Sequence, residues 1–232
     1  MLSGLAMAGM ELEGQEHPSE SLYIPKPHLV EDRKLLHDFM DEFPFADLVT
    51  SSPALRITHI PVFLDRDLGR YGRLYGHISR QNPQAKAFDS RQSGVIVFNG
   101  PHSYISPTWF SRTGGTPTWN FAVVHATGKL NSVTDKKALH DLLARLIGKF
   151  EDREKSNYDF AKIPEALKYS RMEGLIGFEM EIELLEGKFK LGQQANAADQ
   201  QGLLRNLQSA TPGRSMHQFT ADFYKRSKPS AE

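Results

Sequence analysis

Cysteine is missing from all 232 residues. That excludes a disulfide-stapled scaffold, a thiolate-ligated zinc or iron–sulfur centre and a thiol nucleophile. Charge of one sign is missing too. Its 28 Lys and Arg offset 28 Asp and Glu, so the basic excess of a typical nucleic-acid binder is lacking. No apolar run approaches the roughly 20 residues that span a bilayer. Met1–Met10 is small and apolar, but no Lys or Arg precedes its apolar run and Glu11, Glu13, Glu16 and Glu20 follow it. A secretory signal has the opposite layout, so a cytoplasmic location is expected. Walker loops, G-x-G-x-x-G, H-E-x-x-H and G-x-S-x-G do not occur, and no acidic pair suggests a metal site.

What is present is enough for one sizeable core, since a chain of this length buries about 70% of its unfolded surface. The expected division is a flexible acidic extension over 1–20, a domain over 21–208, and a basic, disordered tail over 209–232. The tail carries Arg214, Lys225, Arg226 and Lys228 among Pro and Ser residues.

Within the domain, Glu31 and Asp32 precede Leu35, Leu36, Phe39 and Met40, which predicts a short amphipathic helix. Phe45–Thr50 and Arg73–Ser79 read as strands, and Asn82–Phe88 as a turn into a short helix. In Ala54–Leu64 the residues Leu55 and Ile57 share one alternation phase and Ile60, Val62 and Leu64 the other. That switch beside Pro61 predicts a bulge or sheet edge near Thr58 and His59. Gly94–Phe98 is expected to be a strand buried on both faces. Ser103–Phe110 and Phe121–Val133 are expected strands around a Gly-rich loop at Thr113–Gly115. Leu139, Leu142, Leu143, Leu146, Ile147 and Phe150 recur with helical period. Gly174–Leu185 alternates as one strand with Ile176, Phe178, Met180, Ile182 and Leu184 inward. Leu203, Leu204 and Leu207 mark a last short helix. Six or seven strands without βαβ alternation predict an α+β protein, mainly β, built on an antiparallel barrel.

Polar and aromatic residues concentrate between 58 and 125, including both tryptophans and four of the nine histidines. Taken singly, a histidine beside a strand or a tryptophan is ordinarily structural, and Lys188 and Lys190 are ordinarily a solvated face. Taken together, they suit a flat, phosphorylated aromatic ligand. Rings sandwich its ring system, amides and hydroxyls meet its polar edges, and an Arg–Ser pair holds a phosphate.

Five blocks sharpen this: Tyr23-Ile-Pro-Lys, Thr58-His-Ile-Pro, Gly76-His-Ile-Ser-Arg-Gln-Asn-Pro-Gln, Gly100-Pro-His-Ser-Tyr-Ile-Ser-Pro-Thr-Trp-Phe and Pro117-Thr-Trp-Asn-Phe-Ala-Val-Val-His-Ala-Thr-Gly-Lys. With them, Leu22 to Leu207 resembles the FMN-binding negative transcriptional regulator (PaiB-like) family of the FMN-binding split-barrel superfamily. The resemblance implies a six-stranded antiparallel split barrel, a homodimer, and FMN in a groove between subunits. It assigns His77, Ser79 and Arg80 to the flavin and its phosphate, Asn82 and Gln84 to a helix start near that phosphate, and Thr58 and His59 to the ring. His102, Tyr104, Ser106, Trp109, Trp119 and Asn120 would line the groove, some from the partner chain. Lys190 falls in a segment that the family usually continues as Lys-Leu-Ser-Gln-Asn; here Leu-Gly-Gln-Gln follows it.

Three functions compete at this stage. The first is an FMN-dependent oxidoreductase acting on an unnamed small molecule. The second is a transcriptional regulator acting directly or through a partner, which the zero net charge and the lack of a helix-turn-helix pattern disfavour as a direct DNA binder. The third is a haem-binding split barrel.

Overall fold

The computed structural model describes residues 21–90, 92–111, 115–151, 156, 158–210 and 216–226. The expected acidic extension and residues Thr113 and Gly114 of the expected Gly-rich loop lie outside them.

Helix α1 (Arg33–Glu42) starts where Asp32 caps it, its Oδ1 accepting from the backbone N–H of Lys34 at 2.9 Å and of Leu35 at 3.2 Å. Leu36, Phe39 and Met40 bury its apolar stripe. Helix α2 (Lys136–Phe150) is capped in the same way by Asp135, which accepts from Ala138 N–H at 2.8 Å. Helix α3 (Glu165–Met172) packs with α2 over a small second core of Leu139, Leu142, Leu143 and Met172. No helix among the described residues is long and apolar enough to cross a membrane.

The strands are β1 (Leu29–Val30), β2 (Phe45–Thr50), β3 (Arg56–Pro61), β4 (Phe63–Asp65), β5 (Arg73–Ser79), β6 (Ser93–Ile105), β7 (Thr118–Val133), β8 (Leu175–Glu181) and β9 (Leu184–Lys190). All pair antiparallel in the order β3-β2-β6-β7-β8-β5-β4, with β9 also on β7 and β1 on β9. The architecture is therefore a mainly antiparallel α+β split barrel whose sheet is not closed. Strand β7 is its fork. Phe121–Thr127 pairs with β9 and Leu130–Val133 with β8, while the other edge of β7 holds β6. Gly128 sits at the fork, where an added Cβ would lie 2.1 Å from the carbonyl oxygen of Glu181. Only a glycine lets the two backbones approach that closely.

Nine strands stand where the resemblance implies six. The chain breaks at Val62, whose N–H bonds Pro44 O at 2.9 Å and so parts β3 from β4. It breaks again at Ile182–Glu183, where Glu183 N–H reaches Thr127 O at 2.9 Å. Gly174–Leu185 is therefore not one strand. It forms β8 and opens β9, and both pair with β7.

Two further expectations are corrected. The register of β2 with β3 runs unbroken from Phe45↔Pro61 to Thr50↔Arg56, so no bulge occurs at Thr58–His59. Leu55 and Ile57 face outward, 73% and 57% exposed, and β3 is a sheet edge. The bulge is instead in β6 between Asn99 and His102, where three residue steps oppose two on β7. Gly94–Phe98 is central but buried on one face only, since Val95 and Val97 are half-buried.

The C-terminal tail differs most. Helix α4 (Ala197–Ala210) ends two residues into the expected tail, and α5 (Met216–Arg226) lies within it. The reason is aromatic. Phe219 packs against Phe39 and Phe189 with ring centroids 5.5 and 5.3 Å apart, and Phe223 lies 5.6 Å from Phe189. Tyr224 is buried and donates its hydroxyl to Leu191 O. Residues 227–232 lie outside the described set.

Candidate functional site

The residues singled out in the sequence fall into separate groups. Thr58, Asn82 and Gln84 form one network under the β3 edge. Asn82 caps a 3-10 turn (Pro83–Ala87) by accepting Gln84 N–H at 2.9 Å, and its Nδ2 donates to Thr58 Oγ1 at 2.9 Å. Thr58 in turn donates to Gln84 Oε1. Gln84 is fully buried, and its Nε2 reaches Leu48 O, Thr50 Oγ1 and Arg56 O at 2.9, 3.1 and 3.2 Å. Its polar atoms are spent on fastening the turn to β2 and β3.

His59 lies on the opposite, outer face. Its Nδ1 pairs with Asp47 Oδ1, and Asn99 Nδ2 donates to Asp47 Oδ2 at 2.8 Å. Asp47 thus orients the imidazole while Asn99 orients Asp47. Further along the same face His125 shares the Ser21 hydroxyl with Glu186. Burial holds His125 below the ordinary imidazole pKa.

His77, Ser79 and Arg80 stand at the end of β5, opposite Gly177 and Leu175 of β8. His77 Nδ1 is buried without a hydrogen-bond partner, and burial depresses the imidazole pKa, so a neutral ring is favoured. Ser79 Oγ accepts from Gln81 N–H at 3.2 Å. Arg80 donates from Nε to Glu173 O at 3.2 Å and from Nη2 to Leu175 O at 3.0 Å. Two of its five N–H groups therefore tie down the entry to β8.

The aromatic group occupies the other end of the sheet. Trp119 stacks near His102 at 5.6 Å and meets Tyr104 edge-on at 6.3 Å. Trp119 is 53% exposed and Tyr104 47%. Lys190 Nζ lies 2.5 Å from Thr118 Oγ1, beside the same group. Ser106, Trp109 and Asn120 turn away from it. Ser106 caps a 3-10 turn (Pro107–Trp109), and Trp109 packs beneath α4, where an added Cβ on Gly202 would lie 2.5 Å from its carbonyl oxygen. Asn120 is buried, with Nδ2 unpaired. It lies near Gly192, whose φ of 74° suits glycine.

Trp119 and Val133, which lies opposite Gly177, are fourteen residues apart on β7. At about 3.3 Å per residue the contour between them is on the order of 45 Å. The His77–Arg80 group and the Trp119 group thus belong to opposite ends of one strand.

Residues 22–184 match the family model described as "Putative FMN-binding domain". The chain belongs to that family. Its sequence is 31% identical, over 81% of this chain and 90% of the relative, to "Protease synthase and sporulation protein PAI 2" of Bacillus subtilis, which makes it PaiB-like. Among solved structures it is similar to the flavocytochrome Anf3 of Azotobacter vinelandii. That TM-score is 0.59 at 15% identity, covering 86% of this chain and 84% of that one. It is also similar to an FAD- and haem-binding protein of Mycobacterium smegmatis, with TM-score 0.50 at 14% identity, covering 81% and 82%. At these identities the two structures speak for the fold alone. FMN is the cofactor this family points to.

The residues present suit such a group. At one end of β7, Trp119 and Tyr104 offer exposed rings and Lys190 supplies positive charge, while His77, with its unpartnered Nδ1, stands at the far end and the buried Asn120 faces Gly192. His28, Asp47 and Asn99 carry no motif in the sequence, and Lys188 reads there as part of a solvated face. The alternation that sets Lys188 beside Lys190 on one face of β9 was the available signal for the last of these.

Proposed function

We propose that the chain works as a homodimeric flavoprotein, with FMN held on the outer face of the sheet where a second copy covers it. The observation that carries this reading is that face itself. Phe45, Leu55, Ile57 and Trp119 stand exposed on it, and the patch ends in rings and cations. An apolar face of this kind marks an interaction surface. A second copy related by twofold symmetry would bring the His77–Arg80 end of one protomer toward the Trp119 end of the other.

In this reading Trp119, Tyr104 and His102 bind the ring system and exclude water. His59, oriented by Asp47, is positioned to hold or move a proton, and His77 offers a neutral imidazole to a polar edge. The flavin would supply hydride or electron transfer to a small acceptor, which makes the chain an oxidoreductase. A regulatory role through that activity or through a partner draws its support from the B. subtilis relative, whose name refers to protease synthesis and sporulation. Zero net charge weighs against direct contact with DNA phosphates.

The test is an absorption spectrum of the purified protein, then titration with FMN, FAD and haemin, with sedimentation in parallel. Flavin bands or saturable FMN binding by a dimer support the reading. A Soret band and no flavin binding replace it with haem, and a monomer that binds neither overturns it.

A further inference from the structure

Two lysines and a histidine come together where β1 meets β9. Lys188 and Lys190 project from the same face of β9, two residues apart. His28 precedes β1, which pairs with β9 at Leu29↔Lys188. Lys188 Nζ donates to Tyr23 O at 2.8 Å and lies over the Tyr23 and Phe121 rings at 5.2 and 5.5 Å. Lys190 Nζ donates to Thr118 Oγ1. Each ammonium has three N–H groups, so two on each lysine remain to be used.

No carboxylate among the described residues forms an ion pair with either lysine or with His28. Glu186, two residues before Lys188 on the strand, has its carboxylate engaged by Ser21. Burial, and then the neighbouring lysines, disfavour the charged forms of this group. His28 is held below the ordinary imidazole value first by burial and then by Lys190 and Lys188, and Lys188 is itself lowered by burial and by Lys190. His28 Nδ1 is moreover buried with no hydrogen-bond partner. Uncompensated positive charge beside an unused donor or acceptor is what a bound anion relieves.

We infer that Lys188, Lys190 and His28 form the anion-binding pole of the ligand site and take the phosphate of the bound flavin nucleotide. The inference rests on the flavin reading above and moves the phosphate away from Ser79 and Arg80. Arg80 already gives two N–H groups to backbone carbonyls, whereas the lysines keep four between them. Phe121, under Lys188, and Trp119, two residues earlier on the outer face of β7, put ring surface beside the charge. A phosphate joined to a flat aromatic group matches that pairing.

The test compares FMN with riboflavin, which has the same ring and no phosphate, on the full-length protein. Wild type is expected to favour FMN by at least about tenfold, the scale of charge-assisted hydrogen bonds to phosphate. The double variant Lys188→Gln/Lys190→Gln should bring that ratio near one with riboflavin affinity kept. Lys190→Arg should retain most of the preference, and Arg80→Gln should leave it intact. An unchanged ratio in the double variant, or its loss in Arg80→Gln, overturns the inference. Thermal melts and retained riboflavin binding show that the variants are folded. If wild type binds neither flavin, the flavin reading fails and inorganic pyrophosphate decides the site. A saturable shift of the His28 imidazole resonances by NMR, absent from the double variant, supports the anion pole; no shift overturns it.

Discussion

The side-chain nitrogen of Gln84 lies 2.9 Å from the carbonyl oxygen of Leu48, across a fully buried contact. The same nitrogen serves Thr50 and Arg56, and Gln84 Oε1 accepts from Thr58. Gln84→Ala leaves buried acceptors unpaired and is expected to cost about 2–3 kcal/mol. Gln84→Glu should cost more, because a carboxylate oxygen would face the carbonyls that Nε2 now serves. Urea denaturation checks both; a loss below about 0.5 kcal/mol contradicts the structural role.

At Gly128 the expected loss comes from backbone contact. Gly128→Ala puts a methyl 2.1 Å from Glu181 O, which only a shift of β8 away from β7 relieves. The cost should be about 2–4 kcal/mol, with faster amide exchange at Leu130–Val133 than at Val123–Thr127. Uniform loosening across the sheet would contradict a local clash.

Acid should destabilise the fold in two windows. His28, His77 and His125 sit below the ordinary imidazole value of 6.5 when folded. The unfolded chain therefore binds more protons just below that pH, so stability rises with pH through this window and falls on acidification below about 6.5. For Asp38, burial alone would raise the pKa, but hydrogen bonds from Lys34 and Arg66 outweigh it and hold the group below 3.8. Its contribution is present above the unfolded value and disappears as pH falls through the lower folded one. Thermal melts between about pH 5 and 8 isolate the histidines, and His77→Phe should reduce the slope there while His28 and His125 keep the rest. A flat wild-type profile there contradicts the burial of these rings.

Helix α5 should be needed for stability. Phe219 meets Phe39, Phe43 and Phe189. As a half-buried ring, its loss in Phe219→Ala should cost about 2 kcal/mol, and truncation after Ala210 should cost more. Melting points equal to wild type would mean that α5 does not dock in solution.

Local pattern made much of this legible. Glu31 and Asp32 ahead of Leu35, Leu36, Phe39 and Met40 announce α1, the helical recurrence of Leu139 to Phe150 gives α2, and Phe45–Thr50 and Arg73–Ser79 give β2 and β5 with their ends. The errors have a common physical source. Leu55 and Ile57 suggested a phase switch because apolar residues on a strand were read as facing inward, whereas here the outer face is apolar too. In the tail, Pro, Ser and Lys residues masked Phe219, Phe223 and Tyr224, whose i, i+4, i+5 spacing is an amphipathic helix. For the site, the sequence identified residue types but not their prior commitments. Nothing in Asn82-Pro-Gln84 tells that the glutamine is consumed by Leu48, Thr50 and Arg56, residues 28–36 positions away.

Strand β7 also governs the order in which the chain can assemble. It holds β6, β8 and β9 along its length, and β8 in turn holds β5. Neither half of the barrel has a complete edge to grow from until β7 is laid down. The β6–β7 hairpin is local in sequence, whereas β5 pairs with β8 about a hundred positions away (Leu74↔Met180). Loop-closure entropy therefore favours a nucleus at the hairpin, with the long-range half joining afterwards. Substitutions in Val95, Val97 and Val123 should slow refolding, while those in Leu74 and Met180 should mainly speed unfolding.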